Sequence, residues 1–313
     1  ELAALQKEKG HMVFQPENEI AVANSALGAS FAGAKSMIGT SGGGFDLMTE
    51  ALSFAGQSEI PLVVYLASRS GPGTGVPTYS GQGDLDVALR AGHGEFPRIV
   101  SAPGDPVECQ ELVNEGFYLA QKFNTLSIIL SDKHLAESEF SINKQINKPL
   151  QVKVTRKVPG EGIVKANSYE HDKFGNTSES AETSIEGAER RLKKYQEIKK
   201  ETKRFDMIKI HGKEDSKNLV IGWGSTKGAI LDAIKGLDCK FLQVLYLKPM
   251  SDKIKEEMQK AKTIILVENN STGQLGYVIR EKTGISIKNR ILKYDARPFR
   301  SDELKKEIRG MLK

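Results

Sequence analysis

Residues 17–52, ENEIAVANSALGASFAGAKSMIGTSGGGFDLMTEAL, read as a helix, a short strand, a glycine turn and a second helix. Glu17-Asn18-Glu19-Ile20-Ala21 opens an alanine-rich segment ending at Leu27-Gly28-Ala29, and its acidic first turn suits the helix dipole. Small side chains at Ala21, Ala23, Ser25, Ala26, Ala29 and Ala32 let this helix lie close against a flat group or another backbone. By itself the pattern equally describes a tightly packed interface helix. Ser36 to Gly39 follow as a predicted strand, with the next helix predicted to begin near Asp46. Between them, Thr40-Ser41-Gly42-Gly43-Gly44-Phe45-Asp46 is a turn that permits close ligand approach. The glycine run matches neither GxGxxG nor a Walker pattern, so alone it is a weak signal.

Outward from this unit, short apolar runs recur at Pro61–Ala67, Leu126–Leu130, Leu219–Trp223, Leu242–Leu247 and Thr263–Val267. They are continuous rather than alternating, which predicts parallel strands covered on both faces. Amphipathic stretches of helical length lie between them, at Leu47–Ala55, Val107–Lys122, Lys227–Leu237 and Ile254–Lys262. Strand and helix in alternation predict an α/β fold with a parallel sheet flanked by helices. A β-like piece at Gln151–Val158, a Pro159-Gly160 turn, a polar stretch at Tyr169–Thr183 and a charged helix interrupt the alternation. The expected organisation is therefore one α/β domain over 1–150, a connector over 151–215 and a smaller α/β domain over 216–313.

Composition excludes several classes. The 313 residues carry 45 Lys and Arg against 40 Asp and Glu, a net charge of +5, too mild and too dispersed for nucleic-acid binding. Arg190 to Arg204, the densest basic stretch, also holds Glu197 and Glu201 at helical spacing and reads as a solvated helix. The longest apolar stretch, Ile60–Ala67, is too short to span a bilayer. Two cysteines, Cys109 and Cys239, form no CxxC pair, so this chain offers neither an iron–sulfur nor a structural zinc site, and no metal ligand is assigned. A reducing compartment, the cytoplasm, is the expected location.

One further motif carries chemistry. Arg69-Ser70-Gly71-Pro72-Gly73-Thr74-Gly75-Val76-Pro77-Thr78 directly follows the strand at Pro61–Ala67. An arginine at the carboxyl end of a strand sits where α/β proteins bind ligands, although a solvated surface loop is the plainer alternative.

Residues 17–52, together with RSGPGTGVPTYSGQGDL at 69–85 and GHGEFPRIVSAPGD at 92–105, resemble the alpha subunit of 2-oxoacid:ferredoxin oxidoreductases. IGWGSTKGAI at 221–230 and ILVENNSTGQL at 265–275 extend the resemblance over essentially the whole chain. It implies a thiamine-diphosphate pyrimidine-binding domain followed by a transketolase-C-terminal-like domain. Glu19 then matches the glutamate that contacts the cofactor's aminopyrimidine, nine residues before Gly28; Glu17 is the rival, with the wrong spacing. Thr40, Ser41 and Gly42 match the loop lining the cofactor cleft, and Arg69 the arginine that pairs with the substrate carboxylate. The implied reaction is coenzyme A-dependent oxidative decarboxylation of a 2-oxo acid, such as pyruvate or 2-oxoglutarate, with electrons passed to ferredoxin. A non-redox thiamine-dependent half-enzyme and a non-catalytic assembly subunit are the alternatives.

The family also implies parts that this sequence does not supply. A GDG motif for the diphosphate and Mg2+ is missing, since Gly83-Asp84-Leu85 lacks the second glycine. The cofactor's diphosphate, its Mg2+ and a 4Fe-4S cluster are therefore expected in a beta subunit. The family's Tyr-Pro-Ile-Thr-Pro-type loop precedes the position of Glu1, so that loop and a first strand are expected on a gamma subunit or separate N-terminal chain, on a fused domain, or to have been lost. For Gly224–Gly228 the expectation is a plain strand-to-helix turn, and Glu268-Asn269-Asn270 is expected at a subunit interface.

Overall fold

Valine, isoleucine and leucine runs buried on both faces build two sheets. The computed structural model describes residues 2–143, 147–154 and 156–312. In chain order the first half contains α1 (Leu2–Lys9), α2 (Glu19–Phe31), β1 (Met37–Thr40), α3 (Gly42–Leu47), α4 (Thr49–Ser58), β2 (Leu62–Ser70) and β3 (Val76–Ser80). It continues with α5 (Leu85–Arg90), β4 (Arg98–Ser101), α6 (Pro106–Phe123), β5 (Leu126–Asp132), α7 (Lys133–Glu137) and α8 (Ala181–Glu201). The second half contains β6 (Ile208–Gly212), β7 (Asn218–Trp223), α9 (Thr226–Ala233), β8 (Lys240–Val244), β9 (Tyr246–Lys248) and α10 (Lys253–Lys260). It ends with β10 (Thr263–Glu268), α11 (Gln274–Thr283), β11 (Asn289–Leu292) and α12 (Ser301–Met311).

The first sheet runs β1-β2-β5-β4-β9 with β3 paired to β2, and the second runs β11-β10-β7-β8-β6. Strands β3, β6 and β9 are antiparallel to their neighbours and the rest are parallel. This is the expected α/β architecture, with three departures. The run Leu242–Leu247, read as one strand, is two. It leaves the second sheet at Val244 and enters the first at Tyr246, with the Ala102 N–H donating to the Leu245 carbonyl at 2.7 Å. Both halves are buried, so hydropathy does not mark the break. The edge strand β6 lies within the stretch read as connector and pairs with β8. Finally, the β-like piece Gln151–Val158 has no strand among its described residues, and its Thr155 lies outside them.

The charged helix is not simply solvated. Lys194 pairs with Glu59 at 2.5 Å and Arg191 with Glu170 at 2.9 Å, with side chains only 13–15% exposed on the basic partners. Ile198, fully buried, packs into a cluster with Leu112 and Leu119. One face of α8 is thus docked against the first unit, because charge spacing alone does not reveal partners distant in sequence.

Where the two units meet on α6, the Tyr246 hydroxyl donates to Glu115 at 2.5 Å. Burial pushes the Glu115 carboxyl up, Glu111 and Asp206 add to this, and the Tyr246 bond and Lys209 oppose it; the result is about 7 against an ordinary 4.5. The folded chain therefore holds this proton where the unfolded chain has released it, so stability falls as pH rises from about 4.5 through about 7. In Glu115→Gln this part of the slope should vanish when thermal midpoints are measured across that range. Parallel curves for the two proteins would refute the assignment.

Candidate functional site

The carboxyl ends of β1, β2 and β5 converge on one edge of the first sheet, where parallel sheets offer ligand clefts. Asn18 caps α2 by accepting from the Ala21 N–H at 2.9 Å, which places Glu19 in the first turn, half-buried. The glycine run is not an open turn. Ser41 takes the N-cap position and α3 begins at Gly42, four residues before the expected helix start. Glycine allows this because the backbone here touches other side chains. A Cβ on Gly44 would fall 2.2 Å from Thr40 Oγ1 and 2.7 Å from Glu19 Oε1. A Cβ on Gly42 would meet the Asp84 carboxylate at 2.8–2.9 Å. So Glu19, Thr40 and Gly44 form one contact group, and Gly42 and Asp84 form its neighbour.

Arg69 is the penultimate residue of β2 rather than part of a loop; it pairs with Ser80 of β3, and Gly71–Gly75 make the hairpin turn. Gly42, Gly43, Asp46, Arg69, Ser70, Gly81, Gly83 and Asp84 line one cleft of about 490 Å³, closed on its other side by Asn269, Asn270, Ser271 and Tyr294. Among the described residues no hydrogen bond or salt bridge is seen for the Glu19 carboxylate or the Arg69 guanidinium, although the Arg69 charge acts on Asp84. Ser41 lies at the α3 N-cap with its hydroxyl making no cap bond.

Asp84, in the Gly83-Asp84-Leu85 run that lacks the second glycine of a GDG motif, lines this cleft without having been expected there. Its carboxylate accepts from Ser68 at 2.7 Å. Burial raises its pKa and Asp46 adds to that, against the Ser68 bond and Arg69; the net direction is up. The available signal was its place in GQGDL beside the arginine loop.

The second unit reaches the cleft through buried polar groups. Glu268, fully buried, accepts from the Trp223 indole at 2.9 Å and from the Leu275 N–H at 3.0 Å. Burial raises its pKa despite these bonds. Asn269 and Asn270 are buried against Gln82 of the same chain and line the cleft. Gly224–Gly228 is the strand-to-helix turn expected, with Lys227 paired to Asp105 and Glu108 at 2.5 and 2.6 Å.

Glu19, Thr40 and Ser41 do not line the cleft themselves; the Glu19 carboxylate stands beside it against Gly44, where it could meet the pyrimidine end of thiamine diphosphate. Among the described residues, no group of three or more His, Cys, Asp or Glu could hold a metal ion. No helix among them is long and apolar enough to cross a membrane, and both cysteines are free.

Residues 1–206 match the family described as pyruvate flavodoxin/ferredoxin oxidoreductase, thiamine-diphosphate-binding. The chain is 36% identical to a 2-oxoacid:ferredoxin oxidoreductase subunit alpha of Saccharolobus solfataricus, over 96% of this chain and 52% of that one. It is 31% identical to the 2-oxoglutarate oxidoreductase subunit KorA of Mycobacterium tuberculosis, over 99% of this chain and 52% of that one. A solved 2-oxoglutarate:ferredoxin oxidoreductase from Magnetococcus marinus, with 2-oxoglutarate, coenzyme A and succinyl-CoA bound, superposes with a TM-score of 0.87 at 29% identity. That match covers all of this chain and 59% of the other. The chain thus spans about half the length of these two relatives.

Proposed function

Because the chain belongs to the pyruvate flavodoxin/ferredoxin oxidoreductase family, we propose that it is the alpha-subunit part of a 2-oxoacid:ferredoxin oxidoreductase. Such an enzyme decarboxylates a 2-oxo acid oxidatively, forms acyl-coenzyme A and passes electrons to ferredoxin. The observation that carries the reading is the cleft that gathers Arg69 with Gly42 and Asp84, beside the Glu19–Thr40–Gly44 contact.

Bound thiamine diphosphate would supply the carbanion chemistry. Glu19 holds and shares a proton at the ring nitrogen of the aminopyrimidine. Thr40 and Gly42 shape the floor beside it, with Ser41 at the head of α3. Arg69 presents a planar fork to the substrate carboxylate, a geometry lysine does not offer. The beta subunit supplies Mg2+, the diphosphate contacts and the 4Fe-4S cluster, and the assembly works in the cytoplasm. In support, its relatives are named as subunits.

The test is reduction of a viologen dye by the chain assembled with its beta subunit, assayed with and without thiamine diphosphate, a 2-oxo acid and coenzyme A. Dye reduction that needs all three supports the reading; turnover of the 2-oxo acid without dye reduction would overturn the redox assignment. In Arg69→Ala the KM for the 2-oxo acid should rise about tenfold to a hundredfold, the worth of a charge-assisted hydrogen bond, while cofactor affinity stays unchanged. Equal KM values in the two complexes would remove Arg69 from the site.

A further inference from the structure

Gln82 is completely buried and directs every hydrogen-bonding group it has at the second unit. Its backbone N–H donates to the Asn269 carbonyl at 2.7 Å, and its carbonyl accepts from Asn270 Nδ2 at 3.1 Å. Its side-chain amide donates to the Trp223 carbonyl at 2.9 Å, and its Oε1 accepts from the Asn269 N–H at 2.9 Å. The residues on either side, Ser80, Gly81, Gly83 and Asp84, all line the cleft. The same loop is held once more from outside, where Gln274 Nε2 donates to the Gly83 carbonyl at 2.8 Å. The hairpin that carries Arg69 leans on the second unit too, with the Arg297 guanidinium 3.3 Å from the centre of the Tyr79 ring.

We infer that Gln82 is a positioning residue: by engaging the carboxyl ends of β7 and β10 it holds the loop 80–84, keeping Asp84 against Gly42 and Arg69 facing the cleft. This rests on the function proposed above. The second unit then has a task in substrate binding, since its strand ends set the wall opposite the cofactor floor. Only a side chain that both donates and accepts at this length can serve, because one partner is a carbonyl and the other an N–H.

Gln82→Glu in the assembled complex tests the inference. A protonated acid can replace the amide at the Trp223 carbonyl, whereas a carboxylate faces that oxygen with no proton. The neighbouring carboxyls are Asp132, whose Oδ2 lies near Gly224 as Gln82 Nε2 does, Glu268 through Asn270, and Asp84. Complete burial at position 82 favours the protonated form of a glutamate there, and negative charge on any of these carboxyls adds to it. The expected result is a KM for the 2-oxo acid near the native value at the acid end of the working range. It should rise about tenfold toward the alkaline end while kcat stays close to native, a dependence the native complex lacks. Native-like KM at every pH would overturn the inference, as would a thermal midpoint that falls with activity while KM stays constant. If Gln82→Glu does not assemble, Gln274→Ala loosens the same loop from its exposed side and should raise KM about threefold; an unchanged KM there overturns it equally. A native complex inert toward 2-oxo acids would overturn the proposed function and this inference together, whereas an active native complex beside an unaffected variant overturns this inference alone.

Discussion

Replacing Glu19 by Gln should lower thiamine-dependent turnover of the assembled complex by about 10²–10⁴-fold, the usual worth of a positioned proton transfer. Glutamine keeps the length and polarity of the side chain, and the Asn18 cap that sets the start of α2 is untouched. What it lacks is an exchangeable carboxyl proton. The contact with Gly44 shows how tightly this carboxyl is placed, since even a methyl group there would collide with Oε1. The variant should therefore assemble normally and still bind the cofactor, with the loss confined to kcat. Steady-state dye reduction and cofactor titration on one preparation separate these effects. Full turnover by the Gln variant would sink the proposed role of Glu19, whatever became of Arg69.

The sequence displayed the parts of the first unit that are local. Asn18-Glu19 at the head of an alanine-rich helix and the apolar strand expected at Pro61–Ala67 lie where residue spacing predicts, although β2 runs on through Arg69 to Ser70. What it concealed is long-range. Residues Leu242–Leu247 read as one strand because burial on both faces erases any periodicity at the crossing between sheets. Strands β3 and β4 escaped notice, the first being exposed along most of its length and the second only four residues long. Arg191 and Lys194 looked solvated because Glu170 and Glu59, their partners, are remote in sequence. Asp84 was hidden by a comparison with the wrong motif. Its importance lies in a contact with Gly42 across the cleft, which no local pattern encodes.

The same blindness to distant partners conceals the charge on which the second unit rests, and Lys227→Met exposes it. Glu108 is only 2% exposed, yet accepts from Lys227 at 2.6 Å, Lys209 at 2.9 Å, Gln243 at 2.6 Å and the Gly104 N–H at 2.8 Å. Burial works against its charge, but the two lysines and the Gly104 bond outweigh it and hold the pKa below the ordinary value. Asp105, which caps α6 by accepting from the Glu108 N–H, also pairs with Lys227 at 2.5 Å. Removing one partner of a buried pair typically costs about 3–5 kcal/mol. Lys209 remains in Lys227→Met, so a loss of about 3 kcal/mol is expected, at the lower end of that range. Because folded domains hold only about 5–15 kcal/mol, the effect should be plain in denaturant midpoints. The lowered pKa also means that the native contribution is present above the ordinary carboxylate range and disappears as pH falls below it, so the gap between native and variant should close in acid. Adding Glu108→Gln to Lys227→Met removes the stranded charge but keeps an amide to meet Gly104 and Gln243, and should recover more than half of the loss. A double variant no more stable than Lys227→Met would mean that packing of the lysine stem, not the buried carboxylate, holds the units together.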